Sequence, residues 1–151
     1  MNIEIGKPVP AFEVNDQSGK LVTSKSLLGK KYILFFYPKD DSPSCTKEAC
    51  SIRDKYKDLK KKGYLIFGVS PDSEKKHQKY IQKYEFQFPL LADPDLKMTK
   101  DFGLYGPKIF MGKEIIGVYR TTVLVDEQGL VTHIIDKVKT AEHADQILEL
   151  I

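Results

Sequence analysis

The sequence predicts an α/β fold made of one domain over residues 1–151. Its length, with 41% hydrophobic and 30% charged residues, is ordinary for a single globular domain. Apolar runs of strand length alternate with runs of helical spacing almost to the C-terminus, and no repeat or linker divides them. A domain of this size buries roughly 70% of the surface that its unfolded chain exposes. We therefore expect it to fold without a metal or a structural disulfide.

The first part of the chain predicts a central strand followed by a long helix. Residues 32–37 are almost all apolar and rich in aromatic side chains, as in a strand buried on both faces, and Pro38 ends the run. The apolar residues from Ala49 onward then recur at spacings of 3, 4 and 3 residues. This is helical spacing, and it predicts a helix over residues 44–62 that ends at Gly63.

The rest of the chain continues the alternation of strands and helices. Two further strands, at 64–69 and from Phe88, follow the same apolar pattern as the first. The other predicted elements are a helix at 74–84, a short helix at 95–102, a hairpin of 121–125 with 130–136, and a last helix that begins at Thr140. This order of elements suits a thioredoxin-like sheet.

Charge and hydropathy argue against two classes of partner. The formal net charge of +3 and the pI of about 8.7 fall short of the basic excess, with a pI above about 9, that marks nucleic-acid-binding domains. The longest apolar run ends at Pro38, far short of the ~20 residues that span a bilayer. The N-terminal residues lack a basic segment followed by an apolar core. We therefore expect no nucleic acid, no membrane and a cytoplasmic, reducing location.

Cys45 is the first candidate for chemistry because it stands in the first turn of the predicted 44–62 helix. Unpaired N–H groups and the positive end of the helix dipole favour an anion there, and the thiolate is the nucleophilic form of cysteine. Ser42 can bring a hydroxyl beside the sulfur. Pro38 and Pro43 can stiffen the loop and shield the site from water.

Other interpretations of Cys45 remain open at this point. The residue shares a helix face with apolar residues and can be a small buried hydrophobic side chain. A metal site is disfavoured because the cysteines lack the C-x2-C spacing and the three histidines are scattered. A cysteine protease needs a paired histidine, which has no recognisable context here. We expect no metal and no cofactor, and we expect His77 and His143 to be exposed bystanders.

The second cysteine, Cys50, constrains what the pair can do. Two cysteines in a reducing compartment are more often redox-active or catalytic than structural. Five residues apart on an ideal helix, the two Cα atoms are turned by about 140° and separated by roughly 8.7 Å. A disulfide needs Cα atoms within ~7 Å. If Cys45 and Cys50 bond, the helix must therefore unwind locally between them.

Residues 37–50 resemble the active-site segment of the Q-type peroxiredoxins, also called bacterioferritin comigratory proteins. The resemblance continues through residues 68–73, 90–95, 102–103 and 120–126, and so covers nearly the whole chain. It implies the peroxiredoxin variant of the thioredoxin-like fold, with a central mixed sheet flanked by helices. It also implies an antioxidant enzyme of cell redox homeostasis, without a cofactor, that reduces hydrogen peroxide and organic hydroperoxides. A monomer is expected from the same resemblance.

The resemblance assigns a role to four residues. Cys45 resembles the peroxidatic cysteine, and Pro38 and Ser42 occupy the proline and hydroxyl positions of the motif P-x3-[TS]-x2-C. Arg120 occupies the arginine position, where a permanent positive charge can stabilise the thiolate and polarise the peroxide. Ser44 departs from the usual glycine, and Ser42 replaces the common threonine. Neither departure removes a chemical group that the reaction needs.

The implied cycle is that of an atypical two-cysteine peroxiredoxin. Cys45 becomes a sulfenic acid, Cys50 resembles the resolving cysteine that condenses with it, and thioredoxin or a similar dithiol reduces the disulfide. An alternative is a redox sensor that signals peroxide to a partner through the same disulfide. A general thiol–disulfide exchanger is disfavoured because the Cys-x-x-Cys arrangement is missing. Glu48 can bond near Arg120 or favour the first helical turn, and Tyr105 can line a pocket or pack in the core.

Overall fold

The computed structural model describes residues 1–151, which form a seven-stranded mixed sheet and a separate two-stranded hairpin. The strands are β1 (Glu13–Asp16), β2 (Leu21–Thr23), β3 (Lys31–Phe36), β4 (Tyr64–Ser70), β5 (Leu90–Ala92), β6 (Tyr105–Phe110), β7 (Lys113–Val118), β8 (Thr121–Val125) and β9 (Val131–Ile135). The helices are α1 (Pro43–Asp54), α2 (Tyr56–Lys61), α3 (Glu74–Tyr84), α4 (Lys97–Asp101) and α5 (His143–Leu148). The large sheet has the order β2-β1-β5-β4-β3-β8-β9.

Strand β3 lies inside the sheet, as its apolar sequence predicts. It pairs in parallel with β4 and antiparallel with β8, and five of its six residues are buried. Because both of its neighbours are also covered by helices or loops, aromatic and branched side chains fill both faces of the strand. The α/β fold with a central mixed sheet is therefore confirmed, and the strand delivers its following loop to one end of the sheet.

Alternate residues of β3 divide between two apolar layers. Tyr32, Leu34 and Phe36 point into one core, which also holds side chains from β8 and α4. Ile33 and Phe35 point into the other, which is formed with α1, α2 and α5. The period of two in a strand produces this division, since successive side chains face opposite sides of the sheet. Cys45 belongs to the second layer and lies on the inner face of α1.

The predicted 44–62 helix is wrong in one respect, because the structure has two helices there. Lys55 leaves helical geometry with φ −110° and ψ 15°, which separates α1 from α2. The apolar spacing continues across the break, so Leu59 of α2 is still fully buried. Periodicity therefore identified the buried face but could not detect the interruption.

Smaller differences concern the short elements of the fold. The short strands β1 and β2 had no prediction, since three or four residues give little periodic signal. The last helix starts with a 3₁₀ turn at Thr140–Glu142 before α5, and α4 is shorter than the predicted 95–102 helix. No helix of the chain has the length and the apolar composition that crossing a membrane requires.

Candidate active site

Sheet register brings the Cys45 loop and Arg120 to the same end of the sheet. In the antiparallel pair of β3 and β8, Phe36 lies opposite Thr121. The residues that follow Phe36 therefore lie beside the residue that precedes Thr121, which is Arg120. This juxtaposition joins residues 75 positions apart in the sequence. The four residues Cys45, Ser42, Pro38 and Arg120 that the sequence singled out all belong to these two adjoining segments.

Cys45 lies in the first turn of α1, which begins at Pro43. Its side chain is 2% exposed and is a free thiol, as is that of Cys50. Pro43 fits the first helical position because it has no N–H to leave unpaired. The first-turn amides and the helix dipole therefore act on a sulfur that is screened from water, where electrostatic effects are strongest.

A buried polar network fixes the loop before α1. The Tyr37 hydroxyl donates to Asp40 at 2.6 Å, and the other Asp40 oxygen lies 2.7 Å from Nδ1 of His77. The Asp40 amide donates to the Asp72 carboxylate at 2.7 Å. His77 is fully buried, and its Nε2 faces the Leu91 carbonyl at 3.0 Å. The prediction that His77 is an exposed bystander is therefore wrong, because its ring ties α3 to this loop.

Ser42 and Pro38 flank this anchored segment. Ser42 occupies the N-cap position of α1, but its hydroxyl donates to the Lys39 carbonyl at 3.1 Å instead of capping the helix. The serine oxygen keeps lone pairs that can accept a further hydrogen bond. Pro38 is half-buried where the chain leaves β3. The roles of both residues toward a substrate stay predictions.

Arg120 pairs with Glu48 next to the sulfur. Its Nη1 donates to Oε1 of Glu48 at 2.7 Å, and Glu48 is fully buried. Burial lowers the pKa of Arg120, but the adjacent charges of Cys45 and Glu48 outweigh this effect and raise it overall. Of the two roles left open for Glu48, the structure shows the bond to Arg120.

Glu48 faces a second buried titratable side chain. Its Oε2 has no hydrogen-bond partner and lies 3.5 Å from Nε2 of His143. Burial raises the pKa of Glu48 to about 7, although Arg120 opposes that shift. The ring of His143 is fully buried, and its Nε2 is hydrogen-bonded to the Thr122 hydroxyl at 2.6 Å. The prediction that His143 is an exposed bystander is therefore also wrong.

A second cation, Lys108, lies near Arg120 and Cys45. Its Nζ donates to the Val118 carbonyl at 2.6 Å across the β6–β7 hairpin. Burial and the charge of Arg120 lower the pKa of Lys108, while the negative charge of Cys45 raises it. Two positively charged side chains, those of Arg120 and Lys108, therefore lie near the sulfur of Cys45.

The second cysteine lies further along α1, on the side of Tyr80. Cys50 is half-buried, and burial raises the pKa of its thiol. The Tyr80 hydroxyl donates to the Thr46 side chain at 3.2 Å, between the two cysteines along the helix. Because α1 is continuous from Pro43 to Asp54, the cysteines keep helical spacing and are not bonded.

Sequence patterns singled out Cys45 and missed several groups around it. Lys108, Thr122 and His143 come from three separate elements and form no local motif. Glu48 was named as a candidate, since it lies three residues after Cys45 and such residues share a helix face. Tyr105 is half-buried and packs against the first apolar layer, as one of its two interpretations required.

Comparisons with known proteins agree with this geometry. The family model described as AhpC/TSA family matches residues 5–134. Peroxiredoxin Bcp of Bacillus subtilis is 38% identical over 149 residues, with 99% of this chain and 95% of the relative covered. Peroxiredoxin Bcp of Escherichia coli is 36% identical over 146 residues, with 97% and 94% covered.

A solved structure of peroxiredoxin Q from Xanthomonas campestris superposes with a TM-score of 0.87 at 32% identity. The match covers 98% of this chain and 94% of the other. Its fold is therefore the same thioredoxin-like architecture as the one described here. The chain belongs to the AhpC/TSA family and, within it, to the Bcp or Q-type peroxiredoxins, which are peroxidase enzymes.

Proposed function

We propose that the chain reduces hydrogen peroxide and organic hydroperoxides through Cys45 and returns to its reduced form through a disulfide with Cys50. Arg120, Ser42 and Pro38 complete the site around the peroxidatic cysteine. Thioredoxin or a similar dithiol supplies the electrons. The observation that carries this proposal is the buried sulfur at the start of α1, with the Arg120 guanidinium bonded to Glu48 three residues further along the same helix.

The first step is an attack of the Cys45 thiolate on one oxygen of the peroxide. An S–O bond forms, the O–O bond breaks, and its electron pair leaves with the second oxygen, which takes up one proton as water or alcohol. Arg120 is always charged and can hold both the thiolate and the oxygen that gains negative charge. Cys45 is left as a sulfenic acid.

In the second step the thiol of Cys50 condenses with the sulfenic acid. An S–S bond forms, and the sulfenic oxygen leaves as water. Helical spacing keeps the two Cα atoms at roughly 8.7 Å, beyond the reach of a disulfide, so α1 must unwind between the cysteines. Cys50 then becomes accessible to a reductant, and exchange with an external dithiol restores both thiols.

Relatives support the substrate class. One of the solved structures is of the Xanthomonas campestris bacterioferritin comigratory protein, studied for its alkyl peroxide reduction activity in trapped intermediate and ligand complexes. The present chain is 32% identical to it over 98% of its length. We extend the same substrate class to this chain, and we assign it to a reducing compartment where a dithiol is available.

The test is to add one equivalent of hydrogen peroxide to the reduced protein and map its peptides without reduction. We expect a loss of two hydrogens and a link between Cys45 and Cys50. The variant Cys50→Ser should stop at a sulfenic acid on Cys45, while Cys45→Ser should consume no peroxide. Peroxide turnover by Cys45→Ser would refute the proposal, and so would unchanged thiols in the wild-type protein.

A further inference from the structure

The buried pair of Glu48 and His143 has no part in the reaction steps given above, although it lies directly behind Arg120. Both side chains are fully buried, in α1 and at the start of α5. Oε1 of Glu48 receives the Arg120 bond, whereas Oε2 has no partner and faces Nε2 of His143 at 3.5 Å. A buried carboxylate oxygen without a donor is unfavourable, and a proton placed between the two side chains removes that penalty.

The hydrogen bonds of His143 show which of its nitrogens can take the proton. Oε1 of Gln146 accepts from the Lys139 amide at 2.9 Å, and its Nε2 donates to the Lys137 carbonyl at 3.1 Å. The orientation of the Gln146 amide is therefore fixed, so Nδ1 of His143 must donate to Oε1 at 2.9 Å. The titrating nitrogen is Nε2, the one that faces Thr122 and Glu48.

The charges around the pair couple it to Cys45. Arg120 contacts Glu48 directly, and Lys108 faces Arg120 and Cys45 from β6. The other polar groups against the pair, from Thr122 and Gln146, are neutral. With Cys45 as a thiolate, an ionised Glu48 would be a second anion close to the first. Their repulsion in the low dielectric of the site favours one proton on the pair, and this effect ends when the sulfur loses its charge.

We propose that Glu48 and His143 together hold one exchangeable proton while Cys45 is a thiolate and release it when Cys45 becomes a sulfenic acid. This inference rests on the proposed function. Oxidation removes the negative charge of the sulfur, so an ionised Glu48 then balances Arg120 alone. The leaving oxygen of the peroxide takes up one proton and the pair releases one through solvent, so protons and charge both balance. Glu48 and His143 act through Arg120 and are positioning residues.

Proton counting in a weakly buffered solution tests the proposal. The Cys50→Ser protein is oxidised with one equivalent of hydrogen peroxide at neutral pH, and a pH indicator dye reports the net uptake. Ultraviolet absorbance of the thiolate establishes the starting state. We expect clearly less than one proton per Cys45 in this protein, and about one proton when Glu48→Gln is added. Asp54→Asn, an exposed carboxylate on the same helix, is the matched control and should behave as the parent.

Proton uptake is also measured for His143→Asn, because this variant removes Nε2, the nitrogen that can accept the proton. We expect its uptake to rise toward that of Glu48→Gln, and an uptake unchanged from the parent would overturn the role of His143. Equal uptake with and without Glu48→Gln, while peroxide is still consumed, would overturn the whole inference. If no peroxide is consumed by the parent, the proposed function itself fails, so the two failures are distinguishable.

Infrared difference spectra give a second measurement that needs no variant at Glu48 to fold. Oxidation of the Cys50→Ser protein should remove the C=O stretch of a protonated buried carboxyl group. The same spectrum of Glu48→Gln, if that variant folds, should lack the band. A spectrum of the parent without any loss, either in the region of protonated carboxyl groups or in the bands of a protonated imidazole, would contradict the release of a proton from the pair.

Discussion

The substitution Glu48→Gln offers a test of stability that is independent of peroxide chemistry. A glutamine keeps an oxygen that can accept from Arg120, and its amide nitrogen replaces Oε2, the atom that faces Nε2 of His143. The variant is therefore a permanently uncharged analogue of the protonated carboxyl group. In the wild type, burial raises the pKa of Glu48 from an ordinary value near 4.5 to about 7.

The sign and size of the change in stability with pH follow from the linkage between proton binding and folding. Between about pH 4.5 and 7 the folded protein binds more protons at Glu48 than the unfolded chain does. The contribution of this group to stability is therefore complete below about pH 4.5 and is lost as the pH rises toward 7. A shift from 4.5 to about 7 corresponds to about 3 kcal/mol, by ~1.4 kcal/mol for each pH unit. The stability of Glu48→Gln relative to the wild type should rise by that amount.

The assay is urea unfolding of both proteins under reducing conditions, from about pH 4 to pH 8. His143 has the opposite effect, because burial lowers its pKa and its contribution is lost as the pH falls below 6.5. Since both proteins contain His143, its effect cancels to first order in the difference. For Asp54→Asn, the difference in unfolding free energy from the wild type should be the same at every pH. If the difference in unfolding free energy between Glu48→Gln and the wild type did not change with pH, the reasoning would be refuted. If this difference fell as the pH rises, the ion pair with Arg120 would outweigh the effect of burial on Glu48.

Three further predictions concern the site and its support. Arg120→Lys should slow the reaction with peroxide by ~100-fold, as measured by stopped flow, because one point charge replaces a fork of donors; an unchanged rate would remove Arg120 from the site. His77→Gln should reduce stability by about 3–5 kcal/mol in thermal unfolding, because Asp40 loses a buried partner; a loss no larger than that of His133→Gln would contradict this. Leu59→Ala should cost about 2–5 kcal/mol and leave the rate per folded molecule unchanged; a slower rate would show that α2 shapes the site.

The sequence predicted those features whose signal is local. The run from Tyr32 to Tyr37 identified the buried strand, and the position of Cys45 after it placed this residue in the first turn of a helix. These predictions depend on neighbouring residues and on the periods of strands and helices. The helix at 74–84 matched α3 for the same reason.

The groups around Cys45 are defined by contacts between distant segments. Arg120 reaches the sulfur through the register of β3 with β8, and the sequence supported its role only through resemblance. His77 and His143 were misassigned because a lone histidine on a helix has no pattern that separates a buried ring from an exposed one. Their partners, Asp40 and Glu48, are fixed only once the sheet is assembled.

The break at Lys55 separates the hydrogen-bond ladder of α1 from that of α2. The Lys55 amide closes α1 on the Ser51 and Ile52 carbonyls, and α2 starts its own ladder and is held by the buried Leu59. In the proposed cycle, the opening that lets Cys50 approach Cys45 can therefore stop at this junction. Amide hydrogen exchange should then become faster in α1 when the disulfide forms and stay unchanged in α2, so that each catalytic turnover would disturb only one segment of the fold.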